Sequence, residues 1–411
     1  MSRARGRVTA WAELLRVSAL ATVPGDALAG AAAAGLRPNR STLLAIGSSL
    51  CLYEAGMALN DWADRVEDAV DRPGRPIPSG RVTPRAALVA SATLTAAGLA
   101  LAARAGRPTL ATATALAATV WSYDLHLKHT PAAPATMATA RALNLLLGTV
   151  ATSSGCAWAG GVRRPGGRGV GAAVRAAAAV GAHTYAVTAV SRHETQGGST
   201  RTPLLALATT LTLTALMARP SPQPTPSAAQ PTTGADRFTS GPTAGTVAQP
   251  TVGLKARAVT HPTPGPTTPA AAQPTAGADR LTVGADRFTP GADRFTPGAV
   301  ARPAGSPAAR AASAARPRPA GTAASRVSAA VGPLITAALA ASYARTPATP
   351  LLHAALNPSP PLTQRSVGAG IRALIPLQAT LAARSGAPGT ALLVLGLAPL
   401  ARALARKVSP T

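Results

Sequence analysis

The feature that most constrains this chain is a series of long runs without a charged residue. Several runs reach about 18–20 residues, the length that a helix needs to cross the hydrocarbon core of a bilayer. They are rich in Ala, Leu, Val and Thr, so each run is only weakly hydrophobic. They predict a multi-span helical membrane protein. The apolar segments, several of which include an isolated charged residue, lie at roughly residues 14–35, 42–60, 84–103, 108–123, 136–159, 172–190, 203–218, 327–344, 366–383 and 387–405.

The charge balance narrows the class of protein further. Only 13% of residues are charged, against about 25% in an average soluble domain. The net charge of +26 could indicate a nucleic-acid partner. However, only 3% of residues are aromatic, and the arginines are scattered between the apolar runs. Basic loops of a membrane protein explain both features, so we predict membrane lipid as the surrounding partner and no nucleic acid.

The predicted fold class is an all-α transmembrane bundle in three parts. Residues 1–218 form the first transmembrane helices with the polar loops, and residues 326–411 form the last helices. Residues 219–325 between them are dominated by Pro, Thr, Ala and Gly and repeat the hexad Gly-Ala-Asp-Arg-Phe-Thr. Such a composition cannot bury a core, so this insertion is predicted to be disordered.

The acidic residues of the chain are concentrated in one window. Of 14 Asp and Glu residues, five lie between Asn60 and Arg81. Asp61, Asp64 and Asp68, together with Asp71, follow the spacing of one face of an α-helix. Because like charges repel there, a cation should offset them, and Mg²⁺ suits hard carboxylate ligands.

Arginines follow this acidic face directly, at Arg72, Arg75 and Arg81, in a stretch rich in proline. Their guanidinium groups bind phosphate oxygens in a bidentate manner. The window therefore predicts a diphosphate–magnesium site, with Asp61, Asp64 and Asp68 as metal ligands. The alternative is a solvated acidic helix turn with a basic tail.

Two further polar loops carry candidate residues. Tyr123 and Lys128 are either an interfacial aromatic and a snorkelling lysine or catalytic groups. In the second case Lys128 binds a phosphate and Tyr123 stabilises a developing carbocation or the leaving group.

The segment from Ser191 through Arg192 and Glu194 to two glycines is either an ordinary helix end or a second site. There Glu194 would hold a second magnesium and Arg192 would grip the diphosphate.

The positive-inside tendency gives an orientation. With the basic N-terminus in the cytoplasm, the loops at 61–83, 124–135 and 191–202 all face the cytoplasm. We therefore predict a multi-pass protein of the cell membrane. The first apolar run is expected to be retained, because no clear cleavage site follows the basic N-terminus.

At these residues the chain resembles the UbiA superfamily of intramembrane prenyltransferases. The family's first motif, N-D-x-x-D-x-x-x-D, is matched by Asn60, Asp61, Asp64 and Asp68. The following R-P-x-R-P-x-x-x-G is matched from Arg72 to Gly80, and the family's Tyr–Lys loop is matched by Tyr123 and Lys128.

The resemblance implies about nine transmembrane helices, Mg²⁺, a polyprenyl diphosphate donor and a hydrophobic or aromatic acceptor. It implies these catalytic residues: Asp61, Asp64, Asp68, Tyr123 and Lys128. It implies these substrate-binding residues: Asn60, Arg72, Arg75, Lys128, Arg192 and Glu194. Asp26, in the first run, could orient the acceptor or be a buried residue with a structural partner.

The second motif departs from the family pattern. Arg192 and Gln196 stand where the family has aspartates, and only Glu194 keeps a carboxylate. The loop resembles a bacterial subgroup with S-R-x-E-x-x-G-G. Either Arg192 replaces the charge of a magnesium, or the activity is altered. The alternative function is a UbiA-like membrane protein that handles or transports a lipid or metabolite.

Overall fold

A computed structural model describes residues 2–158, 169–219 and 323–408. Every regular element in these ranges is helical and none is a strand, which confirms the predicted all-α class. The helices are α1 (Ser2–Leu14), α2 (Val23–Ala33), α3 (Arg40–Ala63), α4 (Arg65–Asp71), α5 (Pro84–Ala105), α6 (Arg107–Ser122), α7 (Ala133–Trp158), α8 (Gly169–Ser191), α9 (Arg201–Ala218), α10 (Ala323–Leu356), α11 (Pro360–Arg384), α12 (Pro388–Leu395) and α13 (Leu397–Val408). A 3₁₀ turn, Val17–Thr22, precedes α2, and a π-helical turn, Tyr123–Leu127, follows α6.

Four described helices are long and apolar enough to span a membrane by length and composition: α3, α5, α9 and α11. The remaining long helices, α7, α8 and α10, are rich in alanine, and each contains at least one arginine. Several apolar helices in one bundle fit a multi-pass membrane protein. The total of about nine spans stays a prediction.

The helix ends follow local sequence signals. Asn39 caps α3, since its side chain accepts a hydrogen bond from Thr42 N at 3.1 Å while its own N–H donates to Thr42 Oγ1 at 2.9 Å. Thr83 caps α5 through its side chain, whose Oγ1 accepts a hydrogen bond from Ala86 N at 3.3 Å, with Pro84 in the first turn. These caps fix where α3 and α5 begin, and α3 carries the first acidic motif at its other end.

The centre of the bundle is built on close contacts between α2 and α7. A Cβ added at Gly148 would lie 2.3 Å from Ala27 Cα, and one at Gly30 would lie 2.2 Å from the Leu145 carbonyl oxygen. Only glycine permits this approach, which is typical of helix packing in membranes. α7 also packs against α3, α6 and α8, so it connects the helix that carries the first acidic motif with the helices before the second and third polar loops.

The structure corrects several predicted boundaries. The first run is interrupted by the 3₁₀ turn, and the basic N-terminus is itself the helix α1. The run at 387–405 is two short helices, α12 and α13. α10 continues through three prolines to Leu356, although prolines usually end helices; neighbouring membrane helices compensate for such breaks.

Most of the predicted insertion lies outside the residues that the structure describes. Residues 220–322 lie outside the described residues, and the prediction of disorder concerns those residues. The helices on either side end at Ala218 and begin at Ala323.

Candidate active site

The first acidic motif spans the junction of α3 and α4. The helix is interrupted at Asp64, which ends α3 and precedes α4, so the four aspartates do not share one continuous helix face as predicted. Asp61 and Asp68 are buried, at 4% and 3% exposure, whereas Asp71 is exposed. Three of the four carboxylates therefore belong to the candidate site, and Asp71 does not.

Arg75 joins the two buried carboxylates. Its Nη1 lies 2.6 Å from Asp68 Oδ2 and 3.4 Å from Asp61 Oδ1. Arg72 Nη1 lies 3.7 Å from Asp68 Oδ1. The proline-rich loop thus turns back on the acidic motif, and one guanidinium group already lies between two carboxylate oxygens.

Arg16 is a cation of the site that sequence reasoning missed. Its Nη2 donates to Asp61 Oδ1 at 3.3 Å. Its backbone has φ 47° and is the only non-glycine of the described residues with a positive φ. This strained turn after α1 brings Arg16 to the motif. No local pattern in the sequence indicates it, because the contact crosses 45 residues.

The second loop meets the first at two points. Lys128 Nζ pairs with Asp64 Oδ2, and Asn60 Nδ2 donates to Asp124 Oδ1 at 3.1 Å. The π-helical turn brings Asp124 and Lys128 to the end of α3. We call Asp61, Asp64 and Asp68, with Arg16, Arg72, Arg75 and Lys128, the outer ionic cluster.

Burial changes the acidity of two groups in this loop. It raises the pKa of Asp124 to about 6, although the Asn60 hydrogen bond and Lys128 oppose the shift. Burial, together with the negative charges of Asp124 and Asp64, raises the pKa of Tyr123 to about 12. Tyr123 is therefore a neutral hydroxyl at physiological pH, able to donate a hydrogen bond.

The third loop is only partly drawn into the site. Arg192 is exposed and its Nη1 donates to the Thr130 carbonyl oxygen, so it supports the second loop instead of the carboxylates. Glu194 lines the cavity described below. Burial raises the pKa of Glu194, and the positive charge of Arg72 opposes this shift.

The glycine pair that follows Glu194 fixes this loop. Gly197 adopts φ 67°, and a Cβ there would lie 2.4 Å from the Pro358 carbonyl oxygen. Gly198 N donates to the same oxygen at 2.8 Å. The two glycines therefore hold the third loop against the connection between α10 and α11.

A cavity of about 420 Å³ lies beneath the outer ionic cluster. Its middle is apolar, formed by side chains that include Leu52, Leu116, Val120, Met137 and Leu374. Asn60, Tyr123, Asp124 and Glu194 line its polar mouth. A smaller cavity of about 350 Å³ lies on the outer side, against Asp61, Arg72 and Arg75. Arg16 lines both cavities, so it stands between them.

A second group of charged residues lies deep in the bundle. Asp26 is fully buried and accepts hydrogen bonds from Asn144 Nδ2 at 2.8 Å and Gln378 Nε2 at 2.6 Å. Arg141 Nε lies 3.0 Å from Asp26 Oδ2, and Ser49 Oγ donates to Asn144 Oδ1 at 2.6 Å. We call these five residues the inner polar cluster. Asp26 has structural partners, which favours the structural alternative stated above.

The acidic side chains of this region are possible metal ligands. Asp61 and Asp68 offer carboxylate oxygens to one cation, Arg75, and hard oxygen donors fit Mg²⁺. Ligand atoms of Asp64, Glu67 and His129 also lie within 4.8 Å of one another, although Glu67 and His129 are exposed. The donors present therefore fit a magnesium ion.

These features define a class: a helical membrane protein with an apolar cavity that opens beside a carboxylate–arginine cluster. Residues 19–218 match the UbiA prenyltransferase family. This part of the chain, which contains all three motif loops, is therefore a UbiA prenyltransferase family domain.

Archaeal relatives support the same assignment. The chain is 36% identical over 123 residues to digeranylgeranylglyceryl phosphate synthase of Methanothrix thermoacetophila, covering 29% of this chain and 46% of the relative. It is 37% identical over 164 residues to the synthase of that name from Ignicoccus hospitalis, covering 39% of this chain and 52% of the relative. The chain thus spans about half the length of these curated relatives.

A solved structure described as "Structural and mechanistic insights into the biosynthesis of Digeranylgeranylglyceryl phosphate synthase in membranes" is also similar. The match has a TM-score of 0.39 at 19% identity and covers 51% of this chain and 76% of that chain. At this similarity nothing further follows for the present chain.

Proposed function

We propose that the protein is an integral-membrane prenyltransferase that transfers a prenyl group from a polyprenyl diphosphate to a hydrophobic or aromatic acceptor. The observation that carries this proposal is the position of the outer ionic cluster at the mouth of an apolar cavity. A diphosphate needs cations, whereas a prenyl chain needs an apolar surface. The two requirements are met side by side here.

The donor's diphosphate would bind at the outer ionic cluster. Arg72, Arg75 and Lys128 supply positive charge, and Asn60 supplies an amide. In this structure these cations are paired with carboxylates, so binding exchanges one set of partners for another. Arg192 was predicted to bind the diphosphate. Here it donates to the Thr130 carbonyl oxygen, so it would support the second loop, which carries Lys128.

Asp61, Asp64 and Asp68 would hold Mg²⁺, with Glu194 on the opposite side of the mouth. The ion would supply charge neutralisation for the diphosphate leaving group. Two of these carboxylates already share Arg75. Moving Arg75 from the carboxylates to the diphosphate would free their oxygens.

The cavity protects the reacting carbon. The bond between the first prenyl carbon and the diphosphate oxygen breaks, and its electron pair stays on that oxygen. The acceptor's nucleophile forms the new bond to the prenyl carbon, and its proton is lost to the released diphosphate or to solvent. Leu52, Leu116 and Val120 exclude water from the cationic prenyl group. Tyr123, which is neutral, faces the mouth and would donate a hydrogen bond to the departing oxygen or lie against the cation.

The three motif loops meet at one end of the bundle, as their contacts require. We propose that this end is cytoplasmic and that the protein lies in the cell membrane, following the positive-inside tendency.

The names of the relatives suggest the first assay. Purified full-length protein, in detergent with Mg²⁺, is given geranylgeranyl diphosphate and either a glyceryl phosphate lipid or a membrane lipid extract. Release of diphosphate and a prenylated lipid detected by mass spectrometry are expected. Chelation of Mg²⁺ with EDTA should abolish release, and added Mg²⁺ should restore it.

Matched variants test the site assignment in this assay. Asp64→Asn and Asp68→Asn should each lower the rate by about 100-fold or more, as expected for loss of charge stabilisation at the leaving group. Asp71→Asn is the control, because Asp71 lies on the same helix and is exposed. Full rates in both Asp64→Asn and Asp68→Asn would show that the site is elsewhere.

A second candidate function is a UbiA-like protein that handles a lipid or metabolite without turnover. The position of Arg192 favours it, because this residue supports a neighbouring loop and leaves the third loop with one acid, Glu194. Donor binding with no product from any lipid fraction would support this candidate over the transferase.

A further inference from the structure

The end of the bundle opposite the three motif loops carries a group of arginines. α3 reaches the outer ionic cluster with its last turn, so it begins at the opposite end, where α5 ends and α6 begins. Four arginines lie in or beside the two chain connections at this end: Arg37, Arg40, Arg104 and Arg107. We call these four residues the basic end surface.

The two connections are neighbours because both pack against the last turns of α7. Asn39, which lies between Arg37 and Arg40, donates from Nδ2 to the Thr152 carbonyl oxygen at 3.0 Å. A Cβ added at Gly106, in the other connection, would lie 3.6 Å from Ser154 Cβ. The two pairs of arginines therefore lie beside the end of one helix.

The chain does not neutralise this surface. All four arginines are exposed, and within the described ranges none of them forms an ion pair or a hydrogen bond. The acidic residue of α3 nearest to Arg40 in the chain is Glu54, fourteen residues further on, which is about 21 Å along the helix axis. By contrast, Arg72 and Arg75 at the motif end pair with carboxylates.

Helix stability does not explain two of these charges. Arg40 and Arg107 are the first residues of α3 and α6, and neither helix has an acidic residue in its first turn. The N-terminus of a helix carries a positive partial charge, so a cation there is unfavourable. Only Arg104, in the last turn of α5, has a position that the helix favours. A partner outside the chain is therefore needed to offset the charge.

The positions of the arginines along the helices identify the kind of partner. α3 and α5 are both long and apolar enough to span a membrane. Arg40 begins the first of these helices, and Arg104 lies in the last turn of the second. The ends of a membrane span lie at the level of the lipid headgroups, which long basic side chains reach by extending along the helix.

We propose that the basic end surface binds the phosphate groups of anionic lipids in the leaflet opposite the motif loops. Guanidinium groups bind phosphate oxygens in a bidentate manner, and basic clusters beside a membrane span attract anionic lipids. This interaction goes beyond the proposed transferase function and does not depend on it, because the surface lies at the other end of α3 from the outer ionic cluster.

Lipid association is measured by electron paramagnetic resonance on purified full-length protein in phosphatidylcholine nanodiscs. Spin-labelled phosphatidylglycerol is compared with phosphatidylcholine that carries the same label. The anionic lipid should associate about 3-fold more strongly, averaged over all lipid positions around the bundle, because only some of these positions adjoin the arginines. Raising NaCl from about 0.05 M to about 0.5 M should bring the ratio close to 1, since salt screens exposed charges.

Variants locate the preference. The ratio should fall below about 1.5 in a quadruple variant that removes the four charges: Arg37→Gln, Arg40→Gln, Arg104→Gln and Arg107→Gln. The matched control removes four exposed arginines outside this surface and should keep the preference: Arg85→Gln, Arg201→Gln, Arg365→Gln and Arg372→Gln. If the quadruple variant fails to fold, its two halves, Arg37→Gln/Arg40→Gln and Arg104→Gln/Arg107→Gln, should each lower the ratio partly.

Three results would overturn the proposal: equal association of the two lipids with the wild-type protein, a preference that survives loss of the four arginines, or a preference lost equally in the control. Fluorescent poly-glutamate is added to the same nanodiscs as a probe for an acidic protein partner. Binding of this polymer that requires the four arginines, without a preference for phosphatidylglycerol, would assign the surface to an acidic protein instead of a lipid.

Discussion

The outer ionic cluster and the inner polar cluster use the same chemical groups in opposite ways. In the inner cluster one buried carboxylate, Asp26, forms an ion pair with Arg141 on α7 and accepts hydrogen bonds from Asn144 on α7 and Gln378 on α11. In the outer cluster Asp61 and Asp68 share Arg75, and each has a further arginine that is partly in solvent. These are Arg16 beside Asp61 and Arg72 beside Asp68, at 40% and 49% side-chain exposure.

This difference in exposure predicts a difference in role. Ion pairs that are open to solvent contribute little to stability, so their partners can be exchanged for a ligand. A buried pair is costly to break from one side, because the remaining charge is left uncompensated. We therefore expect the outer cluster to control binding and rate and the inner cluster to control stability.

The largest expected effect comes from breaking the inner cluster from one side. Asp26→Leu leaves Arg141, Asn144 and Gln378 without their acceptor and should reduce the free energy of unfolding by about 3–5 kcal/mol. Thermal unfolding in detergent measures this change. Asp26→Asn/Arg141→Gln, which removes both charges, should recover most of the loss. An unchanged unfolding temperature in Asp26→Leu would mean that the inner cluster contributes no more to stability than the outer cluster does.

The next effect concerns the outer cluster. Arg75→Gln removes the guanidinium group that lies between Asp61 and Asp68 and should reduce donor turnover by about 100-fold, or about 2.7 kcal/mol. The unfolding temperature should fall less than in Asp26→Leu, because Arg16 and Arg72 stay beside the two carboxylates and are partly in solvent. Arg65→Gln on the neighbouring helix α4 is the control, since Arg65 lies over the Trp62 ring and outside the cluster. A large loss of stability without loss of rate would reverse the assigned roles.

The smallest effect is a pH dependence at the mouth. The pKa of Asp124 is raised to about 6 in the folded protein, so the folded state binds the proton more tightly than the unfolded state does. Its contribution to stability is full below the unfolded pKa, near 4, and is lost as pH rises through about 6.

Unfolding temperatures of the wild type and Asp124→Asn should therefore diverge by a few degrees between pH 4 and pH 6. The wild type should lose stability relative to the variant over this range. Parallel curves would mean that the Asn60 hydrogen bond and Lys128 offset the burial of Asp124.

The sequence by itself determined the class of fold and the first acidic motif. Uncharged runs of about 20 residues leave few alternatives to membrane helices, because a backbone in lipid must satisfy its own hydrogen bonds. The motif from Asn60 to Arg75 was visible because carboxylates and arginines at fixed spacing are rare in a chain with so few acids. The three polar loops were expected on one side, and their contacts place them at one end.

Only the tertiary structure decided which of these residues meet. It brought in Arg16 across 45 residues and paired Lys128 with Asp64, whereas it left Asp71 exposed and turned Arg192 to Thr130. It also joined Asp26 to Arg141 and Gln378, which are 115 and 352 residues away in the chain. Helical periodicity is a local property that sequence spacing reveals. The pairing of distant charges depends on how closely glycines such as Gly148 let the helices approach, and no local pattern records that distance.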